Sequence, residues 1–114
     1  MIRHNGVEID RKRLIIYVDG AHYEFQSQRK QGGGFPGKIR FRVMQHLLLA
    51  RNASIHELFD AVYGDDPEGG PDGGHHVLWI CLNQMKPVFA RLGLKLRKHK
   101  HNSFNRYSLV RHVV

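Results

Sequence analysis

Apolar residues in this chain recur first at every second position, then at helical spacing, then at every second position again. That order predicts a sheet, a set of helices and a closing hairpin. In 6–10, Val7 and Ile9 alternate with Glu8 and Asp10, and 13–18 is rich in β-branched and aromatic side chains. Asp19-Gly20 interrupts the apolar pattern, which resumes through 21–25. Asp-Gly between two such runs favours a two-residue type I′ hairpin, because both central positions need positive φ. The expectation is an antiparallel meander of about three strands over 1–25.

Helical spacing takes over at 39–51, where Val43, Leu47 and Ala50 form one stripe flanked by Met44 and Leu48. Ser54-Ile55-His56-Glu57 reads as a capping box: the serine hydroxyl accepts from the amide three residues on, and the glutamate reaches back. It opens a second helix on Ile55, Leu58, Phe59 and Val62, ending near Gly64. Asn52-Ala53 is the turn between these helices, which then pack at a steep angle. Leu78, Leu82, Met85, Phe89 and Leu92 fall at steps of four, three, four and three. They predict a third helix over 75–92 with a continuous core stripe. Pro87 cannot donate to the carbonyl of Asn83, so a bend is expected there. After Gly93 the period returns to two. Leu94 and Leu96 alternate with Lys95 and Arg97, and Tyr107 and Leu109 with Arg106 and Ser108. Between them 99–105 makes a polar turn with a cationic tip.

Two glycine-rich stretches separate these blocks. The first, 26–38, carries Gly32-Gly33-Gly34 and Pro36-Gly37 and reads as a flexible connection. Its spacing matches neither G-x-G-x-x-G nor a Walker loop. The second, 64–74, is an exposed acidic loop holding Asp65, Asp66, Glu68 and Asp72. It lacks the regular alternation and closing glutamate of an EF-hand, so these carboxylates are not read as metal ligands.

Composition bounds the class. At 114 residues and 41% apolar content the chain reads as one folded domain over 1–114 with a single modest core. The lone cysteine, Cys81, cannot form an internal disulfide, which fits a reducing cytoplasm. The polar start and the lack of any apolar run near 18 residues argue against a signal peptide or membrane span. Charge changes the picture more. Residues 73–114 contain no Asp or Glu and eight Lys/Arg, while the first 72 residues balance ten acidic against ten basic groups. The net charge of +8 therefore belongs to the C-terminal third, as expected of a surface that faces a polyanion.

Candidate chemistry follows that charge. The face of the third helix opposite its core stripe presents His76, Ile80, Asn83, Gln84, Pro87 and Arg91, with no carboxylate. Amides and cations there supply donors for phosphates and base edges. The nine histidines show no zinc spacing: His75-His76 are adjacent and His99-x-His101 lacks a nearby Cys or carboxylate. Cys81, on the flank of the apolar stripe, reads as a partly buried packing thiol, and Trp79 as packed at the helix flank. Phe104, at the hairpin tip, is a candidate stacking contact for nucleic acid. No carboxylate pair, nucleophile triad or metal set is visible, so neither an enzyme nor a cofactor is expected.

Sheet, three helices and a basic hairpin is the order of an α+β winged helix-turn-helix with an N-terminal antiparallel sheet. The sequence resembles the DNA-binding effector domain of OmpR/PhoB-type response regulators. The resemblance is carried by Val7-Glu8-Ile9-Asp10, Val18-Asp19-Gly20, 43–51, Ser54-Ile55-His56-Glu57-Leu58, Val62-Tyr63-Gly64, Leu92-Gly93-Leu94 and Asn105-Arg106-Tyr107-Ser108-Leu109. It departs from that family in having no receiver domain. It also lacks the Leu-Thr-x-x-Glu entry to the first helix, and has Asn83, Gln84 and Lys86 where the family tends to place arginines. The resemblance implies a bacterial or phage transcriptional regulator, cytoplasmic and nucleoid-associated, that binds double-stranded DNA, with a homodimer on DNA as the typical arrangement. In that reading His76, Ile80, Asn83 and Gln84 read bases. Lys86, Arg91, Lys95, Arg97, Lys98, Lys100 and Arg106 hold phosphates or enter the minor groove. The alternative is a winged-helix interaction module that binds RNA polymerase or another regulator, with Asp65, Asp66, Glu68 and Asp72 as its contact. The loop at 64–74 lies where the resembled family contacts polymerase.

Overall fold

Two tight turns, Asn5-Gly6 and Asp19-Gly20, organise the N-terminal part. Both central residues are left-handed in each, with φ of 47° and 78° in the first and 49° and 92° in the second, the geometry that matches the twist of paired strands. The computed structural model describes residues 2–25, 37–70, 72–101 and 104–112, with His101 and Phe104 as backbone only. The turns join β1 (Ile2–His4) to β2 (Val7–Asp10), and β3 (Ile15–Val18) to β4 (Ala21–Glu24). The sheet is antiparallel in the order β1-β2-β3-β4, with Val7 opposite Val18 and Ile9 opposite Ile16. Those four side chains are buried. The meander thus has four strands where the sequence suggested about three. Ile2–His4 is too short to show a period, although Asn5-Gly6 carries the same turn signal as Asp19-Gly20.

Helix α1 (Gly37–Leu49) buries Phe41, Val43, Met44 and Leu47. It begins and ends two residues earlier than its apolar spacing suggests, and Ala50 lies outside it, exposed. Arg51 then turns the chain with φ of 68°. Fully buried Phe25 meets the Phe41 ring edge-on at 5.9 Å, seating the helix on the sheet. The glycine-rich stretch expected over 26–38 lies outside the described residues up to 36, and Gly37 and Lys38 belong to α1.

The link 52–54 is not merely a turn. Ala53 and Ser54 form β5, with Ala53 fully buried and paired to Tyr107. Ser54 also caps α2 (Ile55–Tyr63): its Oγ accepts from the Glu57 amide at 3.2 Å, and Glu57 Oε2 accepts from the Ser54 amide at 3.3 Å. The capping box is formed as read.

The expected third helix is two helices. α3 (His75–Gln84) stops at Met85, whose amide bonds the carbonyls of both Cys81 and Leu82. α4 (Lys86–Arg91) then starts with Pro87 in its first turn. A proline is tolerated in a first turn, where its amide would have no helical partner, so the chain breaks instead of bending. The apolar stripe survives the break: Leu78, Leu82, Met85, Phe89 and Leu92 are all buried. Gly93, at φ of 71°, closes α4 and releases the chain into β6 (Leu94–His101) and β7 (Phe104–Arg111). These strands pair as far as His101 opposite Phe104, so most of 99–105 is ladder where the sequence suggested a polar turn. The second sheet runs β5-β7-β6. The whole is an α+β fold in which one core takes residues from both sheets and all four helices.

Candidate nucleic-acid interface

The outward face of α3 is set by arithmetic. With Leu78 and Leu82 fixed in the core, residues 76, 79, 80 and 83 fall on a second stripe at i, i+3, i+4 and i+7. His76 is exposed, Ile80 and Asn83 are half-buried, and Gln84, the last residue of α3, is exposed. The structure therefore brings His76, Ile80 and Asn83 together, with Gln84 at their end.

Two features of this face were not legible in the chain. Trp79, expected to pack at the helix flank, is 45% exposed, and no other large apolar side chain is exposed among the described residues. Its ring lies parallel to His76, 12° between planes and 5.8 Å between centroids. Its place on the stripe could have been counted from His76. What could not be counted is that the core is filled without it. Asn83, expected to point at base edges, donates its amide to the carbonyl of Trp79 at 2.8 Å and is folded back on its own helix.

Cys81 is fully buried, where the sequence suggested a partly buried thiol. Its Sγ lies 3.7 Å from Met85 Sδ, and burial pushes its pKa to about 11. Such a thiol is inert at neutral pH. Among the described residues no group of three or more His, Cys, Asp or Glu could hold a metal ion, and no helix is long and apolar enough to cross a membrane.

The eight cations of 73–114 divide into two groups. Three arginines are engaged inside the molecule. Arg106 holds Glu57 through two bonds, Nη1 to Oε1 at 3.1 Å and Nη2 to Oε2 at 2.9 Å, and donates from Nε to Asn52 Oδ1 at 2.6 Å. Arg111 donates from Nε to Asp19 Oδ2 at 2.9 Å and from Nη2 to the Asn5 carbonyl, tying the end of β7 to both turns of the first sheet. Arg91 lies over the Tyr23 ring at 5.4 Å, joining α4 to β4. Arg106 holds the Glu57 carboxyl below its usual range, and Arg111 does the same to Asp19.

The other five, Lys86, Lys95, Arg97, Lys98 and Lys100, are exposed and make no ion pair among the described residues. Strand alternation puts Lys95 and Arg97 on one face of β6 and Lys98 and Lys100 on the other. Lys86 and Lys95 line one groove of about 480 Å³ with Phe89, Leu94 and Leu96, so the start of α4 and the root of the hairpin share a cationic edge. Phe104, the candidate stacking residue, has its side chain outside the described residues.

Two of the acidic loop's carboxylates are engaged. Asp65 lies 3.7 Å from Arg42, and Asp66 Oδ1 accepts from the Glu68 amide at 2.9 Å. Gly70, at φ of 92°, sits so close over Phe59 and Tyr63 that a Cβ there would collide with Phe59 and crowd Tyr63. All four carboxylates are exposed. Comparison with known proteins finds no family model, curated protein or solved structure that matches this chain.

Proposed function

We propose that the chain is a winged helix that binds double-stranded DNA as a transcriptional regulator, with α3 in the major groove and the β6–β7 hairpin as a wing on the phosphates. The observation that carries this reading is the set of five exposed cations without ion pairs among the described residues, Lys86, Lys95, Arg97, Lys98 and Lys100, together with a helix face that carries no carboxylate. A three-stranded sheet made from the residues before α2 and the hairpin after α4 supports the same assignment, since it sets a hairpin beside a helix that follows a helix-turn-helix pair. Phosphate contacts would set affinity and register, and α3 would set sequence preference. Arg91 and Arg106 act as struts in this reading and leave the phosphate set; Arg111 is a third strut.

The test is salt dependence on a random duplex. Five phosphate contacts give a slope of log K against log[salt] of about −4.5. Absence of binding at low salt, or a slope near zero, refutes the proposal. Selection from a random duplex library then supplies the target, and a palindromic or tandem motif marks a dimer on DNA.

One observation favours a second reading, an interaction module for RNA polymerase or another regulator. Asp66 accepts from the Glu68 amide and Gly70 packs over Phe59 and Tyr63, while Asp66, Glu68 and Asp72 stay exposed. Charge reversal at Asp66, Glu68 and Asp72 that abolishes transcriptional activation without changing duplex affinity assigns that contact to the loop.

A further inference from the structure

The helix face expected to read bases by hydrogen bonds is largely apolar at its centre. Along α3, His76, Trp79, Ile80 and Asn83 form the outward stripe. Asn83 is turned back on the Trp79 carbonyl, so it does not present the extended amide fork that pairs with adenine. Gln84 keeps such a fork, but only at the helix end. What stands out from the middle of the stripe is the indole of Trp79, 45% exposed and backed by the parallel ring of His76.

A singly exposed indole is ordinary on a protein surface, but this one is stacked on His76 at the centre of the stripe and is the apolar feature the face offers a partner. Charge identifies the occupant: no carboxylate occurs from 73 to 114, Lys86 opens α4 just after α3, and Lys86 shares a groove with Lys95 at the root of the wing. A polyanion fits that frame better than a protein surface of mixed charge. In the major groove of a duplex the apolar feature on offer is the C5-methyl of thymine. The geometry points to Trp79, braced by His76, as the specificity-determining contact of α3, reading thymine methyl groups. His76 is a positioning residue that fixes the indole plane. This inference rests on the DNA-binding reading above. It adds to it a base preference and moves readout from Asn83 to Trp79.

The probe is the duplex enriched by the wild-type chain from a random library, made again with deoxyuridine in place of thymine. Uracil lacks only the methyl, so pairing and groove polarity are kept. The wild-type chain is expected to lose about four-fold in affinity for each methyl contacted, and Trp79→Ala to bind thymine and uracil duplexes alike. Trp79→Phe, which keeps an apolar ring, is expected to restore part of the difference. Because Trp79 is outside the core, circular dichroism of Trp79→Ala should match wild type. Wild-type binding that ignores the methyls, or a Trp79→Ala chain with undiminished methyl sensitivity, overturns the inference alone. A wild-type chain that binds no duplex at low salt overturns the DNA-binding reading and this inference with it. Loss of RNA polymerase binding in Trp79→Ala with duplex affinity and methyl sensitivity unchanged assigns the face to protein contact and also overturns it.

Discussion

Arg106 is the residue on which a strut and a phosphate clamp predict opposite results. Replacing it with alanine removes a bidentate pair to Glu57 and the bond from Nε to Asn52, which together join β7, α2 and the link between α1 and β5. The Arg106 side chain is 26% exposed and Glu57 is 48% exposed, so solvent screens the pair. An ion pair of that exposure contributes at most about 1 kcal/mol, and the bond to Asn52 adds about 0.5–1.5 kcal/mol. The expected loss is thus about 1–2 kcal/mol, or about 4–8 °C in Tm for a domain of this size. Arg106→Lys keeps the charge but not the fork, and should recover less than half. The pH dependence has a sign. Arg106 holds the Glu57 carboxyl below its usual range, so the stabilisation is present above the ordinary carboxylate pKa and is lost as pH falls through the lowered one. The gap in Tm between wild type and Arg106→Ala should therefore be wider at pH 7 than at pH 3, where only the share of the Asn52 bond remains. A duplex-binding slope measured alongside should be unchanged in Arg106→Ala and fall by about 0.9 in Lys98→Ala. An unchanged Tm with a slope reduced by about 0.9 in Arg106→Ala refutes the strut and makes Arg106 a phosphate contact.

Three further expectations come from local geometry. Pro87→Ala should destabilise by about 0.4–1 kcal/mol in urea unfolding, because a first-turn proline restricts the unfolded chain; a gain in stability would instead indicate one continuous helix strained by Pro87. Gly6→Ala should cost about 1–2 kcal/mol, since φ is 78° and the new methyl runs into the Asp19 carboxylate that Arg111 holds; an unchanged midpoint would show that the turn relaxes freely. Cys81 should resist a thiol reagent at pH 8 until the chain opens. Because its pKa rises from 9.0 to about 11 on folding, stability should fall between those pH values, by up to about 2–3 kcal/mol, and Cys81→Ala should lack that component. Immediate labelling of the native thiol would refute its burial.

Much of the scaffold was legible because its signals are local. Asp19-Gly20 needs positive φ whatever surrounds it, Ser54 and Glu57 cap each other across three residues, and the stripe from Leu78 to Leu92 is a property of helical spacing. The misses are contacts between distant parts of the chain. β5 has two residues and no period of its own, and becomes a strand only because β7 is there to pair with Ala53. Pro87 announced a disturbance, but Met85 settled its form: it stays buried in the core while its backbone ends one helix and opens the next.

The candidate site divides the same way. Sequence by itself determined that the net positive charge is confined to the C-terminal third and that the face opposite the core stripe carries no carboxylate, since both are counts along the chain. Only the tertiary structure decided which cations are exposed without ion pairs. Arg106 meets Glu57 across 49 residues and Arg111 meets Asp19 across 92, pairings that no local spacing encodes. It also decided that Trp79 stands outside a core already filled, and that Asn83 turns back on its helix. Periodicity says which side of a helix a residue occupies. Whether a side chain there is covered, paired or left in water depends on what the rest of the fold brings against it.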